Sequence, residues 1–460
     1  MLNYIWLALI LLSVAIGGWM DRLKGVTDGA FDGAKTAVTI ALGLIGVMAL
    51  WLGVMRLAEK AGLVQRLARG LRPVMTRLFP GVPNDHPAMG SMLMNMAANM
   101  LGLGNAATPL GLRAMQDLEE LNPHPGTATN AMCTFLAINT SSVQLIPTTA
   151  IAILVASGST NPTAIVGTSL LATLCAATVA ITAVKLLEKL QWFRAPVVAG
   201  GGDAGWPQPA ETEAPTILLP AVGKEHAVEL GAAGVGAPGY NRLPVWGAAV
   251  LGLVALLFAL LFVRLAFPEV FGLPLGELDP GASAFVRCVR ALSILAIPML
   301  LSSFTLYAAL CGLKVYDEFV EGAKEGFGVI LKIIPFLVTM LVAIGMFKGA
   351  GGIELLARLL SPILTPLHFP TDLLPIALMR PLSGGATLAL FTDVVHRLGP
   401  DNIVSLMAAT IYGSTETTFY VVAVYFGSVG IKQTRHAIPA GLLADFAGVV
   451  ASVIICRAVL

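Results

Sequence analysis

Apolar positions run almost unbroken at six places along the chain: Ile5 to Gly18, Ala37 to Met55, Leu243 to Val263, Leu292 to Leu310, Ile403 to Tyr425 and Ile438 to Ile455. Each is near the length a helix needs to cross about 30 Å of hydrocarbon. None sustains the period-two alternation of a transmembrane barrel strand. The pattern therefore predicts an all-α, polytopic membrane protein. Further helices are predicted around Ala88 to Met100, Thr127 to Val155 and Ala164 to Leu187. The first apolar stretch has no basic residue before it and no small-residue cleavage site after it, so it is read as a retained helix.

Polar punctuation within this pattern repeats. The 47 residues from Asp32 to Leu78 recur without a gap at Glu321 to Leu367, 289 positions later, with nearly a third identical. DGAK (Asp32 to Lys35) returns as EGAK (Glu321 to Lys324), and LARGLRPVMTRL (Leu67 to Leu78) as LARLLSPILTPL (Leu356 to Leu367). Unrelated apolar segments would match far less often, so the chain carries an internal duplication. Shorter echoes follow: NAAT (Asn105 to Thr108) against GGAT (Gly384 to Thr387), and NTSS (Asn139 to Ser142) against STET (Ser414 to Thr417). Between Ala195 and Tyr240 stand nine Gly and six Pro, a composition unable to bury enough surface to fold. Residues 1–193 and 242–460 are thus two repeat-bearing halves, and 194–241 a flexible linker.

Charge refines the picture. The first copy carries Arg56, Lys60, Arg66, Arg69, Arg72 and Arg77, whereas the matching window carries only Lys348 and Arg358. A duplicate that kept its orientation should have kept this bias, so the repeats are predicted to be inverted, with Arg56 to Arg77 an amphipathic segment on the cytoplasmic face. Only 12% of residues are charged, too few to cover a soluble surface, and the net charge of +1 gives no footprint for nucleic acid. The five cysteines lie scattered among apolar stretches and read as small packing residues.

Candidate chemistry sits where apolar runs are broken. GLGNAATP (Gly102 to Pro109) interrupts a helix and frees backbone groups, which at membrane depth are tolerated only against protein or a wet cavity. Gly104, Asn105 and Thr108 are the candidates there, and PLSGG (Pro381 to Gly385) is the same device in the second half, with Arg380, Ser383 and Gly384. Each break is expected to be interrupted or re-entrant. The clusters Asn139, Thr140, Ser141, Ser142 and Ser414, Thr415, Glu416, Thr417 offer hydroxyls, amides and one carboxylate within apolar runs. Such groups either line a cavity or bond neighbouring helices. Glu416 and Asp445 are intramembrane carboxylates, costly unless paired, protonated or functional. Asn95 and Asn99 share one helix face, as helix glue or cavity lining. Asp85 is expected to cap a helix that starts at Pro87, and Asp32, Lys35, Glu321 and Lys324 to cap or end helices. The histidines have no metal-cage spacing, and no nucleophile elbow, HExxH or cysteine motif is present, so neither a metal nor an enzyme is expected.

These residues resemble the spore maturation A and B proteins joined in one polypeptide. DHPAMG (Asp85 to Gly90), LGLGNAATPLGLRAM (Leu101 to Met115) and FLAINTSSVQLIPTTAIAI (Phe135 to Ile153) resemble the A protein. EGAKEGFGVILKIIPFLVTMLVAI (Glu321 to Ile344), MRPLSGG (Met379 to Gly385), STETTFYVVAVYFGSVGIK (Ser414 to Lys432) and ADFAG (Ala444 to Gly448) resemble the B protein. The resemblance implies two copies of a nucleoside-recognition gate domain in a multi-pass plasma-membrane protein. The function expected is movement of a small polar solute, a nucleoside by the domain's name, through a site between the repeats. The alternative is a non-transporting membrane component assisting spore or cell-envelope maturation. No cofactor is expected beyond a coupling sodium ion or proton, and the expected partners are membrane lipids, the solute and further copies in a homo-oligomer.

Overall fold

The structure is a computed structural model that describes residues 2–102, 104–193, 244–272, 283–352, 354–355, 358 and 369–460. The linker predicted at 194–241 and the second-copy string Leu356 to Leu367, Arg358 apart, lie outside them. The described residues form sixteen α-helices joined by turns and short 3-10 segments, and no strand. The protein is a polytopic all-α membrane protein built from two repeats.

The first half contains α1 (Leu2–Trp19), α2 (Leu23–Lys60), α3 (Leu63–Leu78), α4 (Pro87–Met100), α5 (Gly104–Glu119), α6 (Asn130–Ser141), α7 (Thr148–Ala156) and α8 (Ile165–Leu187). The second contains α9 (Val245–Ala266), α10 (Ala284–Leu310), α11 (Val315–Gly349), α12 (Leu374–Met379), α13 (Gly384–Leu398), α14 (Ile403–Ser414), α15 (Thr418–Ser428) and α16 (Ala437–Val459). Among the described residues five helices are long and apolar enough to span a bilayer unaided: α2, α8, α10, α16 and Trp246–Ala266 of α9. Ile403 to Tyr425, predicted as one span, is instead two short helices, because Thr415 to Thr417 are extended.

The repeat helices α2 and α11 end at positions 289 apart, Lys60 and Gly349, and each is followed two residues on by a left-handed glycine, Gly62 (φ 76°) and Gly351 (φ 85°). Glycine closes a helix there because the conformation carries no Cβ penalty. The two helices pack antiparallel on glycines spaced four apart, so that Gly25 faces Gly349 at one end and Gly53 faces Gly322 at the other. A Cβ on Gly25 would stand 2.6 Å from the Gly349 carbonyl oxygen. Small residues at that spacing let helix backbones approach in lipid, where apolar burial alone gives no drive to associate. Antiparallel packing of equivalent helices is the geometry of an inverted pair. Asp32 and Lys35 lie inside α2 and Glu321 and Lys324 inside α11, not at helix ends as expected; at 38 residues α2 is about 57 Å long and carries such polar groups beyond the hydrocarbon.

The remaining helices obey the same relation. Helices α8 and α16 correspond at an offset of 272 and pack on each other, while α6 packs on α16 and α14 on α8. The loop before α6 meets the loop before α16, where the Lys432 and Gln433 amides donate to the Gly126 carbonyl at 2.9 and 3.0 Å. At the opposite ends of these helices the loop before α8 meets the loop before α14, where Ser159 and Thr160 donate to Asp401. Each half thus clasps the other twice. Helix α3 is amphipathic, burying Val64, Ala68 and Met75 while Arg69, Arg72 and Arg77 stay exposed.

Candidate functional site

Helices α4 and α5 form a re-entrant hairpin. Its two ends return together, with His86 Nε2 4.0 Å from Glu120 Oε2 and Ser91 hydrogen-bonded to Asp117. Helices α12 and α13 repeat the device, closed by Arg397 and Asp372 at 2.7 Å. The first break is narrower than the sequence predicts. Gly104, Asn105 and Thr108 belong to the opening turns of α5, and Gly102, at φ 75°, makes the turn itself. At the hairpin base His86, not Asp85, is the N-cap, accepting from the Ala88 amide at 3.2 Å, and Pro87 occupies the first helical position.

Two further spans are broken rather than re-entrant. Helix α6 stops at Ser141, Ser142 turns left-handed (φ 39°), and α7 continues from Thr148 to the other end of the half. Helix α14 likewise gives way to α15 across Thr415 to Thr417. Each hairpin tip is bonded to the broken span of its own half: the Leu145 amide to the Met100 carbonyl, and the Phe419 amide to the Pro381 carbonyl, both at 3.0 Å. The two broken spans are also bonded to each other, from the Glu416 amide to the Thr140 carbonyl at 2.7 Å.

All four interruptions converge on a cavity of about 160 Å³. The first half lines it with Asn99, Gly102, Gln144, Thr148 and Thr149, the second with Arg380, Gly384, Tyr412 and Glu416. Arg380 is buried (3% exposed); it donates to the Tyr412 carbonyl at 2.8 Å and the Thr415 hydroxyl at 3.2 Å, and lies 4.8 Å from the centroid of the Tyr412 ring. Those contacts hold the guanidinium in place without neutralising it. Glu416 faces the same cavity, and no ion pair joins it to Arg380 among the described residues. The site therefore presents a fixed cation, a carboxylate, amides and hydroxyls to one small volume.

Of the residues chosen from sequence, Asn99, Arg380, Gly384 and Glu416 line this cavity. Asn139 stands behind it, accepting from Asn99 at 2.9 Å. Ser141 bonds the Ile138 carbonyl, Ser383 caps α13 at the Ala386 amide, and Ser414 bonds Ile411 and Ser452. Thr415 serves Arg380, while Thr417 abuts Gly384. Thr108 is half-buried in α5 away from the cavity lining. Thr140, Ser142 and Asp445 are buried near the crossing of the halves. Gln144, Thr148, Thr149 and Tyr412 were missed. The first three lie just past NTSS and carried the signal, being polar within the same apolar run. Tyr412 carried none, since an aromatic in such a run reads as lipid-facing or core. Asn95 bonds the Ala107 carbonyl at 2.7 Å and so ties α4 to α5.

Two inverted re-entrant hairpins beside two discontinuous spans define the class: a two-repeat membrane protein with a polar site at the repeat interface, as many secondary carriers are built. A family model described as "Gate: Nucleoside recognition" matches residues 41–158 and 330–432. Spore maturation protein A of Bacillus subtilis (strain 168) is 48% identical over 174 residues, covering 38% of this chain and 89% of that protein. Spore maturation protein B of the same organism is 44% identical over 170 residues, covering 37% of this chain and 96% of that protein. The chain belongs to the spore maturation A and B family of nucleoside-recognition membrane proteins, with both members joined in one polypeptide.

Proposed function

We propose that the protein is a plasma-membrane permease that moves a small polar solute through the cavity between its repeats. One observation carries this reading: both hairpin tips and both broken spans open on a single polar volume that holds Arg380 and Glu416 unpaired with each other. Such a set of donors and acceptors suits a solute bearing hydroxyls and ring nitrogens, and the gate-domain match supports a nucleoside. At about 160 Å³ the cavity is smaller than the usual ligand pocket of about 300 Å³ or more, so a nucleoside needs more room than this conformation offers. Loading a nucleoside requires the two tips to part, and rocking of one half against the other provides the motion. The units that move are residues 1–193 and 242–460, joined by 194–241. The site is read as binding rather than catalytic.

Proteoliposome uptake of labelled nucleosides and bases tests the proposal. Wild-type protein is expected to give saturable flux and Glu416→Gln to reduce it severalfold. No flux, together with no thermal shift from any nucleoside or base, would overturn it. The 44–48% identity to the spore maturation proteins favours a second reading, a membrane component of spore or envelope maturation that conducts nothing. Complementation of a maturation defect by a flux-dead Glu416 variant would support that reading.

A further inference from the structure

The strict offset between α8 and α16 sets Thr173 and Asp445 at equivalent positions. Thr173 is a donor: its hydroxyl serves the Ser141 and Ser142 carbonyls at 2.8 and 2.9 Å, where α6 ends. Asp445 takes that place beside the second broken span with a carboxylate, which when ionised can only accept. One oxygen, Oδ2, accepts from the Thr418 hydroxyl at 2.6 Å. The other, Oδ1, is buried with no hydrogen-bond partner, and so is Thr140 Oγ1.

The residues around it give that charge no direct ion pair. Asp445 is 2% exposed, and no ion pair includes it among the described residues. Helix α16 lies close to both breaks because Gly441, one turn before Asp445, has no side chain: a Cβ there would stand 3.0 Å from Thr418 Oγ1 and 3.5 Å from Thr140 Cγ2. Arg380, and Glu416 on the α14–α15 break, are the charged groups whose fields reach it. The other packed elements face it with nothing charged near its level: Cys133 lies at the start of α6, Lys185 at the end of α8, and Arg290 of α10 bonds Val459 at the far end of α16. A bare carboxylate so placed in a bilayer interior demands a positive partner.

We infer that Asp445, with Thr418 and Thr140, is the binding site of a monovalent coupling cation, a proton or a sodium ion, distinct from the solute cavity. The inference rests on the permease reading for the word coupling. The cation neutralises Asp445 at the joint between α14 and α15, whose residues Glu416 and Tyr412 line the cavity. Loading there therefore biases the same break that the solute touches.

The test reads the cation without any solute. Purified full-length protein is assayed for labelled-sodium binding by equilibrium dialysis, and for thermal midpoint across pH in sodium and in choline chloride. Saturable sodium binding identifies sodium; a midpoint that follows pH but not sodium identifies the proton. Under either outcome Asp445→Asn is expected to weaken cation affinity about tenfold or more, and Asp445→Glu to retain part of it. Thr418→Val and Thr140→Val keep the carboxylate and are expected to shift the half-loading point; they carry the test if Asp445→Asn fails to fold. The inference is overturned if wild type responds to neither cation, or if the Asp445, Thr418 and Thr140 variants all respond as wild type does. Cation binding that survives while liposome flux is absent sinks the permease reading alone. Flux that survives without cation binding sinks only this inference.

Discussion

The Glu416 amide and the Thr140 carbonyl meet at 2.7 Å, a backbone bond that ties the broken span of one half to that of the other. Its donor belongs to a residue whose side chain faces the cavity, so backbone and side chain can be tested apart. Glu416→Pro removes the amide, and Thr415 (φ −141°, ψ 168°) already has the extended backbone that precedes proline comfortably. Losing one buried hydrogen bond is expected to cost about 1–3 kcal/mol, read as a lower thermal midpoint. Glu416→Gln keeps the amide and should melt within about 0.5 kcal/mol of wild type. Equal destabilisation by both would refute the bond's role.

The glycine seam between α2 and α11 makes a sharper demand. Gly29→Val inserts a side chain against the Gly345 backbone, and overpacking of this kind is expected to cost about 1–3 kcal/mol or more. Gly46 has nothing within 4 Å of its Cβ position on the same helix, so Gly46→Ala should be neutral or stabilise by up to about 1 kcal/mol. Thermal unfolding in one detergent compares the pair, and a similar effect at both positions would mean that the helices do not touch at Gly29.

Arg380 is held by a fork that lysine cannot reproduce, with one nitrogen on the Tyr412 carbonyl, another on the Thr415 hydroxyl and the plane over the ring. Arg380→Lys is expected to lose about 1.5–3 kcal/mol of stability and to weaken any anionic or acceptor-rich solute. A wild-type melting curve and unchanged solute affinity would remove Arg380 from the site.

The clasp outside the spans gives a pH signature. Asp401 accepts from the Ser159 hydroxyl at 2.6 Å and from the Thr160 amide and hydroxyl, and these bonds hold its carboxyl below the ordinary aspartate range. A depressed folded-state value adds stability above the unfolded value, about 3.9, and that stability is lost as pH falls through the lower folded value. Asp401→Asn should therefore melt earlier than wild type at pH 7, with the gap closing below about pH 4. A gap independent of pH would contradict the clasp.

Inverted topology predicts sidedness. In a background with the exposed Cys175 replaced by serine, cysteines at Pro125 and Asn161 should react with an impermeant maleimide from opposite faces of the membrane. These positions bracket α6 and α7, which together cross once. Labelling of both from one side would mean that the pair does not span.

Much of this was legible beforehand, wherever a residue type has one physical reason to be present. The duplication, both hairpin breaks and the choice of Arg380 and Glu416, which the structure places on one cavity, followed from Gly, Pro and charge inside apolar text. The break within Ile403 to Tyr425 was harder, because an extended stretch of Thr, Glu and Thr costs an apolar run only three letters. The glycine seam was present as Gly25, Gly29 and Gly33, a spacing that identifies close helix contact but not the partner. Nothing local could show that Thr173 and Asp445 occupy equivalent places, since that relation needs the helix ends to fix the offset.

Each hairpin tip leans on the broken span of its own half, yet the two halves interlock through α2 with α11 and α8 with α16. A duplicated unit of this kind is complete in its local folding but lines only half of the cavity, so the cavity needs both companions. Fusing the companions into one gene product fixes their ratio at one to one and makes encounter between them certain. It also frees the once-equivalent copies to diverge, one toward neutral amides, the other toward charge.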